Sequence, residues 1–230
     1  METGVKKLIT FDVYSALFDI AGSIAPRVAS RLSLPETDAR AFFALWRDKQ
    51  MERLQLSNSL DGERVPFRDA TRQSFDYAVR LHRLEVSPDI REELVAAWDE
   101  IDPWPEAESV VRAVKDRGYQ TAILSNGDEA MLKAVAGRIG NPFDHIFSSE
   151  HADRYKPHPA VYRLPQQRLG LSPAEILHVA GSRTDALGAA AAGLECYWSN
   201  RAGDAVLDPR YAPTYDARDL TDLAAILQAS

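Results

Sequence analysis

Leu8-Ile9-Thr10-Phe11-Asp12-Val13-Tyr14-Ser15-Ala16-Leu17-Phe18-Asp19 is the stretch that decides the fold. It opens as a continuous apolar run, the pattern of a strand buried on both sheet faces, and stops at a carboxylate. A carboxylate at the end of a buried strand costs free energy unless neighbours stabilise it. In open α/β sheets, ligands sit in the crevice outside the carboxyl ends of the strands. Asp12 therefore reads as a candidate nucleophile; the structural alternative is that it caps the following turn.

Outward from this strand the pattern changes period. From about residue 20 to residue 102 it is helical throughout. Thr37 or Asp38 can cap a helix carrying Phe42, Phe43, Leu45, Trp46, Met51 and Leu54. Residues 59–66 read as a loop, and Pro66 can open a helix with Phe67, Ala70, Phe75, Ala78 and Leu81 on one side. Ser87-Pro88 opens a third, with Ile90, Leu94 and Trp98 on one face.

From Pro103 strands and helices alternate. Strands are expected at 119–124, 145–148, 176–180 and 195–198, and helices at 106–117, 127–138, 159–169, 185–192 and 220–227. Such alternation predicts an α/β protein, a parallel Rossmann-like sheet covered on both faces with right-handed crossovers. Residues 1–19 and 103–230 would form this core, and residues 20–102 an inserted all-helical cap domain.

The 230 residues, 45% of them apolar, are ample for a core plus an insertion. No stretch is long enough to span a membrane, and no secretory signal is visible at the N-terminus, so a soluble cytoplasmic protein is expected. The single cysteine, Cys196, excludes an internal disulfide and a cysteine-built metal site, and reads as buried packing. A net charge of −7 argues against a nucleic-acid partner while leaving room for a small anionic substrate in a locally basic pocket.

Three later strand ends carry polar residues that could meet Asp12. The second strand runs into Ser125-Asn126-Gly127 before a helix, offering a hydroxyl, an amide and backbone N–H groups to an anion. Tyr155-Lys156-Pro157 follows the third and places a cation beside a proline-stiffened turn. After the fourth comes Val179-Ala180-Gly181-Ser182-Arg183-Thr184-Asp185, with an acid at a helix start. Each alone would pass as a cap or a solvated loop side chain; four in order after successive strands indicate a site.

These residues resemble the haloacid dehalogenase (HAD) superfamily, and within it the L-2-haloacid dehalogenase type, over nearly the whole chain. The resemblance rests on Phe11-Asp12-Val13-Tyr14 with Leu17-Phe18-Asp19, on Leu45-Trp46-Arg47-Asp48-Lys49-Gln50 in the cap, on Ile123-Leu124-Ser125-Asn126-Gly127, and on Tyr155-Lys156-Pro157 with Tyr162. Magnesium-dependent phosphatases of the superfamily carry acids at the positions of Tyr14 and near Gly181. Their chemistry needs a divalent ion and a protonated acid, whereas displacement at a saturated carbon next to a carboxylate needs only an in-line nucleophile, an anchor and a site for the leaving group. No metal and no cofactor are expected.

The resemblance implies roles at matching positions. Asp12 would attack C2 of a small 2-substituted carboxylate and form an ester, kept ionised by Lys156. Asp185, with Lys156, would activate the water that cleaves this ester, giving a 2-hydroxy acid. Ser125 and nearby N–H groups would hold the substrate carboxylate, with Ser182 also at the binding site. Arg47 and Asn126 would face the leaving group, and Tyr14, Met51 and Phe67 would form apolar walls. For Arg47 the alternative is a structural ion pair, and for the three apolar residues it is ordinary packing. The resemblance also implies a homodimer.

Departures from the family pattern bear on the leaving group. Ala16 stands where dehalogenases have a threonine that bonds the nucleophile, and Ser15, in place of the usual glycine, could supply that bond. Ala180, Ser182 and Thr184 replace serine, asparagine and an aromatic wall. Asp48 would repel a halide and attract a cationic nitrogen. A related family member, the azetidine-2-carboxylate hydrolase, opens a strained ring at the same carbon, so both leaving groups stay open. An inert binding protein of the same fold is the reading from another class; a retained Asp12, Lys156 and Asp185 argues against it.

Overall fold

The computed structural model describes residues 5–60 and 62–229. The first four residues, searched for a targeting signal, and Asp61 of the expected 59–66 loop lie outside the described residues. The chain divides into two compact units, one made of Met1–Phe18 with Pro103–Ser230 and one of Asp19–Asp102.

β1 (Leu8–Phe11) is followed by the two-residue strands β2 (Phe18–Asp19) and β3 (Asp102–Pro103), where the chain leaves the first unit and returns. Between these lie α1 (Ile20–Leu32), α2 (Glu36–Ser59), α3 (Phe67–His82) and α4 (Pro88–Ala96). After β3 come α5 (Ala107–Asp116), β4 (Gln120–Ser125), α6 (Glu129–Gly137) and β5 (His145–Ser148). Then follow α7 (Pro159–Tyr162), α8 (Leu164–Leu169), β6 (Ile176–Ala180), α9 (Arg183–Ala191), β7 (Glu195–Ser199), β8 (Tyr215–Ala217) and α10 (Leu223–Ala229).

The first unit is built on one sheet in the order β5-β4-β1-β6-β7-β8, every pair parallel. β1 lies in its middle and all four of its residues are buried, which explains the unbroken apolar run. Thr10 pairs in register with His178, and His178 with Cys196, so these side chains point to one face of the sheet. The chain runs from β1 to β4 on one side and later crosses to β6 on the other. The sheet thus has its topological switch point beside β1, where crevices open. Helix α5 covers the sheet with Ala107, Val110, Val111 and Val114, buried at helical spacing.

In the second unit α2 and α3 pack around Trp46, whose ring meets Phe75 at 4.9 Å and Trp98 at 5.7 Å, both edge-to-face. Its indole N–H donates to the Thr71 carbonyl at 2.8 Å. α2 begins at Glu36, earlier than its sequence suggests. Pro35 holds an extended conformation at the cap position, and Glu36 and Asp38 complement the positive end of the helix. Among the described residues no helix is long and apolar enough to cross a membrane.

Two further details differ from expectation. The helix expected over 159–169 is two short helices that meet at Arg163, because Pro165 cannot donate into the preceding turn. β8 was not foreseen: Tyr-Asp-Ala is an edge strand of only three residues with its central side chain exposed, too short for alternation to stand out.

Candidate active site

Asp12 lies one residue beyond β1, and its backbone N–H still donates to Val179 on β6 at 2.9 Å. Ser125, the last residue of β4, donates its hydroxyl to Asp12 Oδ1 at 2.9 Å. Lys156 reaches the same oxygen from the segment after β5, with Nζ at 3.4 Å, and also lies 3.0 Å from Asp185 Oδ2. Four strand ends thus bring Asp12, Ser125, Lys156 and Asp185 together within the first unit.

Asp12, Lys156 and Asp185 are respectively 7%, 4% and 4% exposed. With one ammonium between two carboxylates, the trio carries a surplus negative charge in a nearly dry setting, which is costly as pure structure. Burial pushes the Asp185 carboxyl up in pKa. Lys156 and His178 outweigh that and hold it well below the usual carboxylate range. Tyr162 donates to Asp185 Oδ1 at 2.8 Å, and burial, then Asp185, pushes its phenol well above the usual value, so it stays a donor. Tyr162 can approach because Gly188 has no side chain; a Cβ there would overlap the phenol oxygen.

Asp185 sits in the first turn of α9, where the helix N-terminus favours an anion. Ser182 caps this helix by accepting the Asp185 backbone N–H at 3.3 Å. Asn126 directs both ends of its amide at the Lys156 backbone: Oδ1 accepts from the N–H at 2.7 Å and Nδ2 faces the carbonyl at 3.5 Å. It therefore fixes the segment that carries the lysine, and the Lys156–Pro157 peptide is cis. Tyr14 is buried, 3% exposed.

The hydrogen bond to the nucleophile that Ser15 could have supplied comes from Ser125. Ser15 has φ of 79°, in the region that favours glycine, and its carbonyl accepts from the Trp104 indole at 3.1 Å. Gly181 lies against this turn so closely that a Cβ would overlap Ala16 N and the Ser15 carbonyl carbon and stand 2.7 Å from Ala16 Cα. An acid side chain at residue 181 has no room beside this turn.

His178, which the sequence reading passed over, is fully buried in β6. Its Nδ1 is 2.8 Å from Thr10 Oγ1, and its Nε2 is 3.2 Å from Lys156 Nζ and 3.1 Å from Asp185 Oδ2. The available signal was a titratable residue in mid-strand, in an otherwise apolar run.

Arg47 is half-buried on α2, 5.5 Å from the Trp98 ring centroid, and donates to Gln50 Oε1. Gln50 in turn donates to Thr71 Oγ1 at 2.5 Å, so the arginine is anchored to the helix interior. The Asp48 side chain is 69% exposed and lies 3.3 Å from Lys49 Nζ. Phe67 is buried edge-to-face against Trp98 at 6.2 Å, and Met51 is half-buried.

The haloacid dehalogenase-like hydrolase family matches residues 6–193. An (S)-2-haloacid dehalogenase of Pseudomonas sp. (strain YL) is 34% identical over 224 residues, 96% of this chain and 93% of its own. Haloacetate dehalogenase H-2 of Moraxella sp. (strain B) is 32% identical over 197 residues, 85% of this chain and 86% of its own. A crystal structure of an L-2-haloacid dehalogenase superposes with a TM-score of 0.91 at 29% identity, covering 98% of this chain and 100% of that one.

Proposed function

We propose that this chain, which belongs to the haloacid dehalogenase-like hydrolase family, displaces halide from C2 of a small (S)-2-halo carboxylate and releases the 2-hydroxy acid. The observation that carries this reading is the convergence of Ser125 and Lys156 on one oxygen of Asp12, with Asp185 across the lysine.

In the first half-reaction Asp12 attacks C2, the C–halogen electron pair leaves with the halide, and the new ester removes the charge of Asp12. The buried trio then passes from a surplus negative charge to neutrality, so the cost of crowding two carboxylates is relieved on the way to the intermediate. In the second half Asp185 takes a proton from water, and the hydroxide adds to Asp12 Cγ. The oxyanion forms on Oδ1, where the Ser125 hydroxyl and the Lys156 ammonium already stand. Collapse breaks the bond to the product oxygen, which recovers the proton from Asp185. Asp12 then ionises, and one proton leaves with each halide. The substrate carboxylate goes to backbone N–H groups of the Ser125-Asn126-Gly127 turn, since the single Ser125 proton is directed at Asp12.

No metal step belongs to this scheme, because Tyr14 and Gly181 occupy the positions where magnesium-dependent relatives carry acids. Ring opening at a C–N bond rested on the charge of Asp48. An exposed carboxylate beside Lys49 discriminates little between leaving groups, which favours halide.

A single turnover in heavy-oxygen water tests the reading: label is expected on Asp12 and not in the product, and Asp12→Asn is expected to abolish turnover. Label found first in the product would mean direct attack by water and end the covalent scheme.

A further inference from the structure

We propose that His178 is a positioning residue for the second half of this reaction, an imidazole seated behind Asp185 and Lys156 that must stay uncharged for Asp185 to accept the proton of water. The proposal rests on the dehalogenase reading above. If Thr10 alone held the ring, it would be a buried histidine satisfied in the core. Here the other ring nitrogen is within hydrogen-bonding distance of both the ammonium and the carboxylate of the reacting trio.

Around this ring, Thr10 comes from β1 and Cys196 from β7, the latter a thiol that burial keeps neutral. Tyr162, a neutral phenol on α7, packs edge-to-face at 5.8 Å. Lys156 and Asp185 complete the surroundings, with Asp12 beyond the lysine. Burial, then the Lys156 charge, pushes the imidazole pKa down, against the opposing pull of Asp185 and Thr10. At neutral pH the ring is thus an uncharged partner. If it took up a proton, a second cation would stand 3.2 Å from the ammonium, and Asp185 would bond to the imidazolium instead of accepting from water. Ester formation uses Asp12 alone and is spared; ester hydrolysis stops.

The test follows the halide burst, the covalent ester and the steady-state rate with 2-chloropropionate across acidic to neutral pH, in wild type, His178→Phe and His178→Gln. In wild type, acidification is expected to leave the burst and accumulate the Asp12 ester. His178→Gln, which cannot take the charge, is expected to lose that acid limb while still turning over. His178→Phe is expected to keep the burst and kcat/KM while kcat and KM fall together by about tenfold or more. An unchanged acid limb in the glutamine variant, or a fall in kcat/KM equal to that in kcat for the phenylalanine variant, overturns the role of His178 and leaves the dehalogenase reading standing. If the phenylalanine variant does not fold, the glutamine pH profile decides. A wild type that releases no halide from any 2-halo acid ends the proposed reaction and this role with it.

Discussion

Gly181 and Ala16 touch backbone to backbone: a Cβ on residue 181 would overlap the Ala16 nitrogen. The turn that follows the nucleophile is thereby pinned by the loop after β6. Gly181→Ala is expected to destabilise the protein by about 1–3 kcal/mol, because the turn must shift to admit a methyl group. Gly181→Asp should cost more and should not create magnesium dependence, and wild-type activity should survive exhaustive chelation. Thermal unfolding and chelator titration check both; recovery of a chelator-killed activity by magnesium would revive a phosphatase reading.

The bond from Ser125 to Asp12 gives a second expectation. Ser125→Ala removes a buried hydrogen bond to a charged group, worth ~1.5–3 kcal/mol, from the oxygen that carries the oxyanion. Turnover should fall about 10–100-fold in kcat, with KM falling alongside it, because the loss is on ester hydrolysis. A rise in KM at constant kcat would instead assign the hydroxyl to the substrate carboxylate.

Both residues show what a sequence can and cannot convey. Asp12, Lys156 and Asp185 were legible because an acid or a base at the end of an apolar strand breaks a strong pattern, and parallel strands gather their ends at one edge. The choice of Ser125 between nucleophile and substrate was not legible, since it depends on which way one hydroxyl turns across the β1–β4 boundary. His178 escaped because mid-strand residues of a buried sheet read as core; only the register that sets it beside Thr10, and the approach of Lys156, make it part of the site. Asp48 is the opposite case, a charge given weight from its neighbour Arg47, although successive helical positions diverge by about 100°.

Asp48→Gln supplies the corresponding measurement. The side chain is exposed and faces Lys49, so its removal should change activity toward 2-chloropropionate less than about twofold and create no preference for a cyclic imino acid. Loss of azetidine-2-carboxylate opening in this variant, with halide release unchanged or raised, would restore the ring-opening reading.

Folding stability should depend on pH through the His178 imidazole. In the native chain the His178 pKa lies below its ordinary value of 6.5, and in the unfolded chain it returns there. Between those two values the unfolded state binds a proton that the native state refuses, so unfolding is favoured as pH falls through this window. Above 6.5 neither state binds it and the effect is absent; below the native value both do and the loss levels off. Asp185 acts in a separate, lower range: its native pKa is depressed, so the stability it contributes is present above the ordinary carboxylate value of 3.8 and is lost as pH drops below it. His158, whose pKa burial also lowers, slopes the same way as His178, which makes the variant comparison necessary. Denaturant midpoints measured from pH 7.5 down to pH 5 are therefore expected to fall more steeply in wild type than in His178→Phe. Parallel curves would mean that the imidazole titrates alike in both states and that its burial imposes no charge penalty.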